Sequence, residues 1–233
     1  MREIALDTET TGLSFADGDR IVEIGCIEII DKKITDNEFH VYINPEREMS
    51  KQASEISGLQ DDFLKDCPKF AEIADNFLDF ISDSRLVIHN APFDVGFLNF
   101  ELQKANKQII NPKNVVDTLT MAKGKFPGSQ ATLDALCRRF NVDASSRIKH
   151  GALIDADLLA KVYIQMSVEI RQKNIFGNVN TSSNTTQQDT FEKKQYEPRK
   201  FAIPENELAE HTEFLKKIKN PIWNEYKDEY KHE

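Results

Sequence analysis

Positive charge is in deficit. The chain carries 30 Lys and Arg against 39 Asp and Glu, a net charge of −9 with histidine neutral. That balance gives no ground to assume a broad cationic face, and tight unaided binding to nucleic acid is not expected. Cysteine is scarce too: Cys26, Cys67 and Cys137 are the only three, and no two form a Cys-x-x-Cys pair. A disulfide framework and a cysteine-built zinc centre are excluded, and the usage suits a reducing cytoplasm. No apolar run approaches the ~20 residues that span a bilayer, so no membrane partner is expected. The opening residues, MREIALD, read as a strand and not as a signal peptide. There is no internal repeat.

Hydrophobic residues make up 39% of the 233 positions and charged residues 30%. A core is within reach, but one segment of the chain is expected to stay solvated. Residues 1–176 hold 21 basic and 28 acidic side chains, so the acidic excess falls mainly there. From Asn178 to Gln188 only Val179 is apolar, too little to offset the entropy of ordering. The expected organisation is one domain over 1–176, a polar linker over 177–198 and a docking segment over 199–233. That last stretch regains Phe201, Leu208, Phe214, Ile218 and Trp223. It is too short for a core of its own, so it reads as a docking peptide or as a tail packed back on the domain.

Elements are legible along the first part. Glu3–Asp7, Arg20–Ile30 and Ile34–Ile43 read as strands, the last two joined as an antiparallel hairpin through a short polar connector. Phe70–Ile81 carries its apolar residues at helical spacing. Leu86–Ile88 is a short buried strand, Phe93–Leu102 a helix, Val115–Asp117 a strand, Leu133–Phe140 a helix, and Leu153 to about Ile170 a long helix. Strands followed by strand–helix alternation predict an α/β fold, a mixed sheet with helices against its faces.

Several carboxylates sit where a purely structural acid is costly. Asp7 and Glu9 are two apart in a strand, hence on one face and about 7 Å apart at Cα. Two acids at a solvated strand end is the simpler account of that pair alone; a shared cation is the other. Pro92 suits a first helical turn, which puts Asp94 on the apolar stripe of Phe97, Leu98 and Leu102. A capping acid explains Asp94 as well as a ligand does. Asp155 is the sharper case: Leu158, Leu159 and Val162 share its face, whereas Asp157 pairs outward with Lys161. His150 stands just before that helix, with Gly151 freeing the backbone, and fits either a cap or a general base. Four inward acids with one histidine and no cysteine suit two hard cations, Mg²⁺ or Mn²⁺, the usual device for phosphodiester cleavage. His89 and Asn90 read as a hydrogen-bonded pair at a strand end.

Three stretches, LDTETTG at 6–12, HNAPFD at 89–94 and HGALIDA at 150–156, resemble the three motifs of the DEDDh 3′→5′ exonucleases, in order. The spacing from His150 to Asp155 marks the histidine branch. RIVEIG at 20–25, FHVYINPER at 39–47, KFPG at 125–128 and LDALCRRF at 133–140 add to the similarity, which is close over residues 1 to about 170. The resemblance implies an RNase H-like exonuclease fold. It implies metal binding by Asp7, Glu9, Asp94 and Asp155, with His150 as general base. The substrate would be a DNA 3′ end, trimmed to nucleoside 5′-monophosphates, with Asp7, Thr8, Glu9, Gln52, Ser57 and Asp155 touching it. Where the family often has a glutamate and a His-Gly, this chain has Gln52 and Ser57-Gly58, which puts terminal-nucleotide binding in doubt and leaves the metal site untouched. Asp117 matches a further family acid and reads as mainly structural.

Gln172, Ile175 and Phe176 resemble a short sliding-clamp-binding peptide. The far tail, with Phe201 and Trp223, is similar to the segment by which proofreading members hold the polymerase III alpha subunit. A partner of that kind would supply the cationic DNA track that this chain lacks, and the protein would be monomeric within a hetero-oligomer. A stand-alone exonuclease acting on RNA or in repair is a second reading, against which the tail argues. A non-catalytic bridge between polymerase and clamp is a third, against which the intact acid set argues.

Overall fold

The computed structural model describes residues 1–145, 149–176 and 204–218, with the side chains of 169–176 left aside. Two units separate, Met1–Thr181 and Ser182–Glu233.

The first unit is built on five strands: β1 (Arg2–Thr10), β2 (Ile21–Ile30), β3 (Lys33–Tyr42), β4 (Arg85–Ile88) and β5 (Val115–Asp117). Their order across the sheet is β3-β2-β1-β4-β5. β1, β2 and β3 pair antiparallel, and β1, β4 and β5 run parallel. The β2–β3 hairpin turns through Asp31 and Lys32, both at positive φ (50° and 64°), the conformation a two-residue turn needs to match strand twist.

The helices are α1 (Lys51–Ser57), α2 (Asp61–Leu64), α3 (Phe70–Ile81), α4 (Ala91–Lys104), α5 (Thr118–Lys125), α6 (Leu133–Phe140) and α7 (Ala152–Phe176). Strand alternation assigns them to two faces. Ile4 and Leu6 of β1 and Leu86 and Ile88 of β4 pack with Phe77 of α3 and Phe97 and Leu98 of α4. Ala5 and Val87, one residue out of step, join Leu159, Val162 and Met166 of α7 and Leu136 of α6 on the other side. At ~25 cal/mol per Å² of apolar area removed from water, these two clusters supply most of the drive to fold.

Two buried charge networks pin the sheet ends. Arg20 makes two bonds to Glu101 of α4, at 2.5 and 2.8 Å, and Glu101 is 2% exposed. Glu3 accepts from Tyr163 of α7 and from Lys32, each at 2.6 Å.

β1 extends to Thr10 and α7 runs on to Phe176, each longer than its sequence pattern suggested. In the second unit α8 (Glu205–Leu215) leaves Leu208 and Phe214 exposed. The linker expected over 177–198, Phe201 and Trp223 lie outside the described residues. No helix among the described residues is long and apolar enough to cross a membrane.

Candidate active site

The carboxyl ends of the parallel strands β1 and β4 open onto one groove, the usual place for a ligand on such a sheet. Asp7, Glu9, Asp94, His150 and Asp155 all line it.

β1 delivers the first two. Asp7 lies opposite Gly25 of β2 and Glu9 opposite Glu23. Gly25 matters because α7 begins directly over it. A Cβ there would stand 2.3 Å from the Ala152 carbonyl carbon and the Leu153 nitrogen. The missing side chain lets the first turn of α7 rest on the sheet beside Asp7.

α4 delivers Asp94. Asn90 precedes the helix at φ 67°, the left-handed conformation that Asn tolerates. Asp117 then fixes the junction, its Oδ1 accepting from the amides of Asn90 (3.1 Å), Ala91 (3.4 Å) and Leu119 (3.0 Å), its Oδ2 from the Thr120 hydroxyl (2.6 Å). Burial pushes the Asp117 carboxyl up, but the Thr120 hydroxyl and those amides together hold it below its ordinary value. This acid braces the end of β4. Asp94 itself is 4% exposed. Burial drives its carboxyl up to about 7, against the opposing pull of the Thr8 hydroxyl and of backbone amides. Thr8 donates to Asp94 Oδ1 from its amide at 3.1 Å and its hydroxyl at 2.8 Å.

α7 delivers Asp155, 3% exposed, and the segment before it delivers the half-exposed His150. The Asp155 amide donates to the Gly151 carbonyl at 2.9 Å, closing the first turn. The His150 amide donates to the Ile56 carbonyl of α1 at 3.3 Å. His150 Nδ1 lies 3.2 Å from Asp155 Oδ2. With the carboxylate accepting at Nδ1, the Nε2 lone pair is left to take a proton.

Glu9, His150 and Asp155 offer donor atoms that all lie within 4.8 Å of one another. Oxygen donors with one imidazole and no sulfur fit a hard divalent cation. So does the buried Asp94 carboxyl, whose charge a nearby cation would offset. The residues present therefore fit the metal chemistry that the donor set suggests.

Phe93, Thr132, Leu133 and Asp134 make up further wall of the groove, beside His89 and Asn90, and no sequence pattern marks those four as groove residues. Thr132 caps α6, accepting from the Ala135 amide at 3.2 Å. A Thr ahead of LDALCRRF is a legible start signal, but it locates a helix and not a groove.

Gln52 and Ser57 sit on α1 and are not among the residues that line the groove, although Ile56, next to Ser57, bonds the His150 backbone. The Ser57 hydroxyl donates to the Ala53 carbonyl at 2.9 Å and accepts from the Leu59 amide at 3.2 Å, so it serves the end of its own helix. Gln172, Ile175 and Phe176 fall on the last turns of α7, where the side chains lie outside the description.

The model of the exonuclease family matches residues 4–163. DNA polymerase III subunit epsilon of Rickettsia felis is 49% identical over 230 residues, spanning 94% of this chain and 97% of that protein. The subunit of the same name from Escherichia coli is 45% identical over 175 residues, covering 71% of each. Among solved structures, the nuclease domain of 3′hExo, a DEDDh family member bound to rAMP, superposes with a TM-score of 0.62. It is 18% identical and covers 72% of this chain and 92% of that one, a likeness of fold.

Proposed function

This chain belongs to the exonuclease family, and from that membership we propose that it is a metal-dependent 3′→5′ DNA exonuclease, the proofreading epsilon subunit of a bacterial DNA polymerase III. The observation that carries the reading is the convergence of Asp7, Glu9, Asp94, His150 and Asp155, from three separate stretches of chain, on one groove. The 49% identity to an epsilon subunit across nearly the whole of both chains supports the replicative setting.

Asp7, Glu9 and Asp155 would hold one divalent cation, and Asp7 with Asp94 a second, Mg²⁺ or Mn²⁺. Bound ions of that kind supply charge stabilisation for the phosphodiester under attack. The chain's own groups do the rest. His150, steered by Asp155, takes the proton of the attacking water at Nε2. Thr8 holds Asp94 in place through two bonds to one oxygen. The product is a nucleoside 5′-monophosphate. A mismatched 3′ end frays more readily into a single-strand groove, and selectivity follows from that difference.

The remaining parts serve tethering. Residues 1–176 form the catalytic domain, 177–198 a linker, and 199–233, with Phe201 and Trp223, the segment that docks on the polymerase alpha subunit. A polar linker raises the effective concentration of nuclease at the primer end. Gln172, Ile175 and Phe176 bind the sliding clamp. The protein acts in the cytoplasm as one copy within a hetero-oligomer. The low cationic charge of this chain supports the view that its partners supply the DNA track.

A time course on a 3′-mispaired primer, with and without chelator, tests the reading. Chelator-sensitive release of mononucleotides, faster from mispaired than from paired ends, is expected. A protein inert in Mg²⁺ and in Mn²⁺ refutes it, and a preference for RNA would move it to the stand-alone class.

A further inference from the structure

Asp7, Glu9, Asp94, Asp134 and Asp155 line the groove, and none of its lining residues is Lys or Arg. A single strand of DNA brings one negative charge with every phosphate. The phosphate under attack is the one that the acids' cations serve. Its neighbour along the strand meets an acidic groove unless a fixed positive charge stands close by.

Lys149 is placed to supply that charge. It directly precedes His150, which lines the groove. The His150 amide donates to the Ile56 carbonyl at 3.3 Å, so this piece of chain is laid against the end of α1. The Lys149 side chain lies over Gly58: a Cβ there would stand 2.5 Å from the lysine Cδ and 2.7 Å from its Nζ. Gly58 ends α1 at φ 79°, its amide donating to the Ser54 carbonyl at 2.8 Å. The bare backbone lets the ammonium settle between the helix end and the segment that carries His150. Lys149 is exposed, and among the described residues it has no ion-pair or hydrogen-bond partner. The carboxyl end of so short a helix draws a cation only weakly. Three N–H donors are thus left for an anion.

We propose that Lys149 is a substrate-binding residue, its ammonium meeting the phosphodiester next to the scissile one along the DNA strand. The inference rests on the exonuclease reading and adds to it a backbone contact separate from the acids and His150. A lysine on a phosphate reads no base, so the contact serves every sequence alike.

Two substrates separate this contact from the chemistry. A short single strand carries the neighbouring phosphate; thymidine 5′-(p-nitrophenyl phosphate) has only the one under attack. In the full chain, Lys149→Ala should lower kcat/KM on the strand about 5–10-fold, through KM, and change it less than about twofold on the ester. The log–log dependence of kcat/KM on salt for the strand should flatten by about 0.7, the share of one phosphate contact on a single strand. Lys149→Arg, which keeps the charge, should recover most of the loss, and Lys149→Glu should deepen it. Equal losses on strand and ester would mean that the residue acts by placing His150, and wild-type kinetics on the strand would mean that it meets no phosphate; either result overturns the inference. If wild type itself cleaves neither substrate, the exonuclease reading has failed instead.

Discussion

Thr8 and Asp94 are joined twice: the amide and the hydroxyl of Thr8 both donate to Oδ1 of the buried carboxyl, at 3.1 and 2.8 Å. The two donors favour the charged form, while burial favours the neutral one and dominates, leaving the carboxyl near 7.

A stability trend follows for the metal-free protein. The folded-state value of Asp94 is raised above its ordinary 3.8. Its contribution to folding is therefore fully present below about 4 and is lost as pH rises towards 7. Asp94→Asn removes the buried charge and keeps an acceptor for Thr8. Urea melts of chelated protein should show the variant more stable than wild type by roughly 1–3 kcal/mol at pH 8, with most of that gain gone at pH 5. An equal difference at both pH values would contradict the assignment.

Thr8→Val keeps the strand-favouring branched shape and deletes one of the two donors. The loss of a hydrogen bond to a charged group costs about 1.5–3 kcal/mol when the carboxylate is ionised. The variant should need more Mg²⁺ for half-maximal activity at pH 7, measured by titrating the metal at fixed DNA. An unchanged requirement would mean that the hydroxyl does not support Asp94.

Glu101→Ala should be among the most destabilising single changes in the first unit. It leaves the Arg20 guanidinium, 12% exposed, without its bidentate partner. Breaking a buried pair in this way costs roughly 3–5 kcal/mol. Thermal and urea unfolding measure it, and a loss below ~1 kcal/mol would show that Arg20 finds solvent or Glu46 instead.

The sequence carried the site further than it carried the fold around it. Period-two alternation was enough to put Asp7 and Glu9 on one face, and period-3.6 spacing was enough to turn Asp155 inward and Asp157 outward. Those are local facts. The partnership of Thr8 with Asp94 joins residues 86 apart, and Arg20 with Glu101 joins residues 81 apart, so no local pattern announces either. The short helices α1 and α2 have too few turns to show a stripe, and α5, as long as α6, lacks one because its sequence, TLTMAKGK, spaces no apolar residues along one face. The Thr132–Asp134 wall becomes part of the groove only because α6 packs against α7, a tertiary fact. Gly25 was read as part of a motif; its reason, the backbone of Ala152 resting on it, belongs to the fold.

Deleting residues 190–233 should leave trimming of short single strands intact and abolish co-purification with the polymerase alpha subunit. Mutating Gln172 and Phe176 together should weaken clamp pull-down and leave alpha binding alone. Retained alpha binding by the truncated chain, or undiminished clamp capture by the double variant, would return those segments to packing roles.

Mononucleotide release by Asp7→Ala at saturating Mg²⁺, set beside wild type with matched circular dichroism, is the decisive comparison. Removal of an acid shared by both proposed ions should lower the rate by at least about 10³-fold with the fold intact. A folded Asp7→Ala protein that still trims DNA at the wild-type rate would place the chemistry somewhere other than this groove.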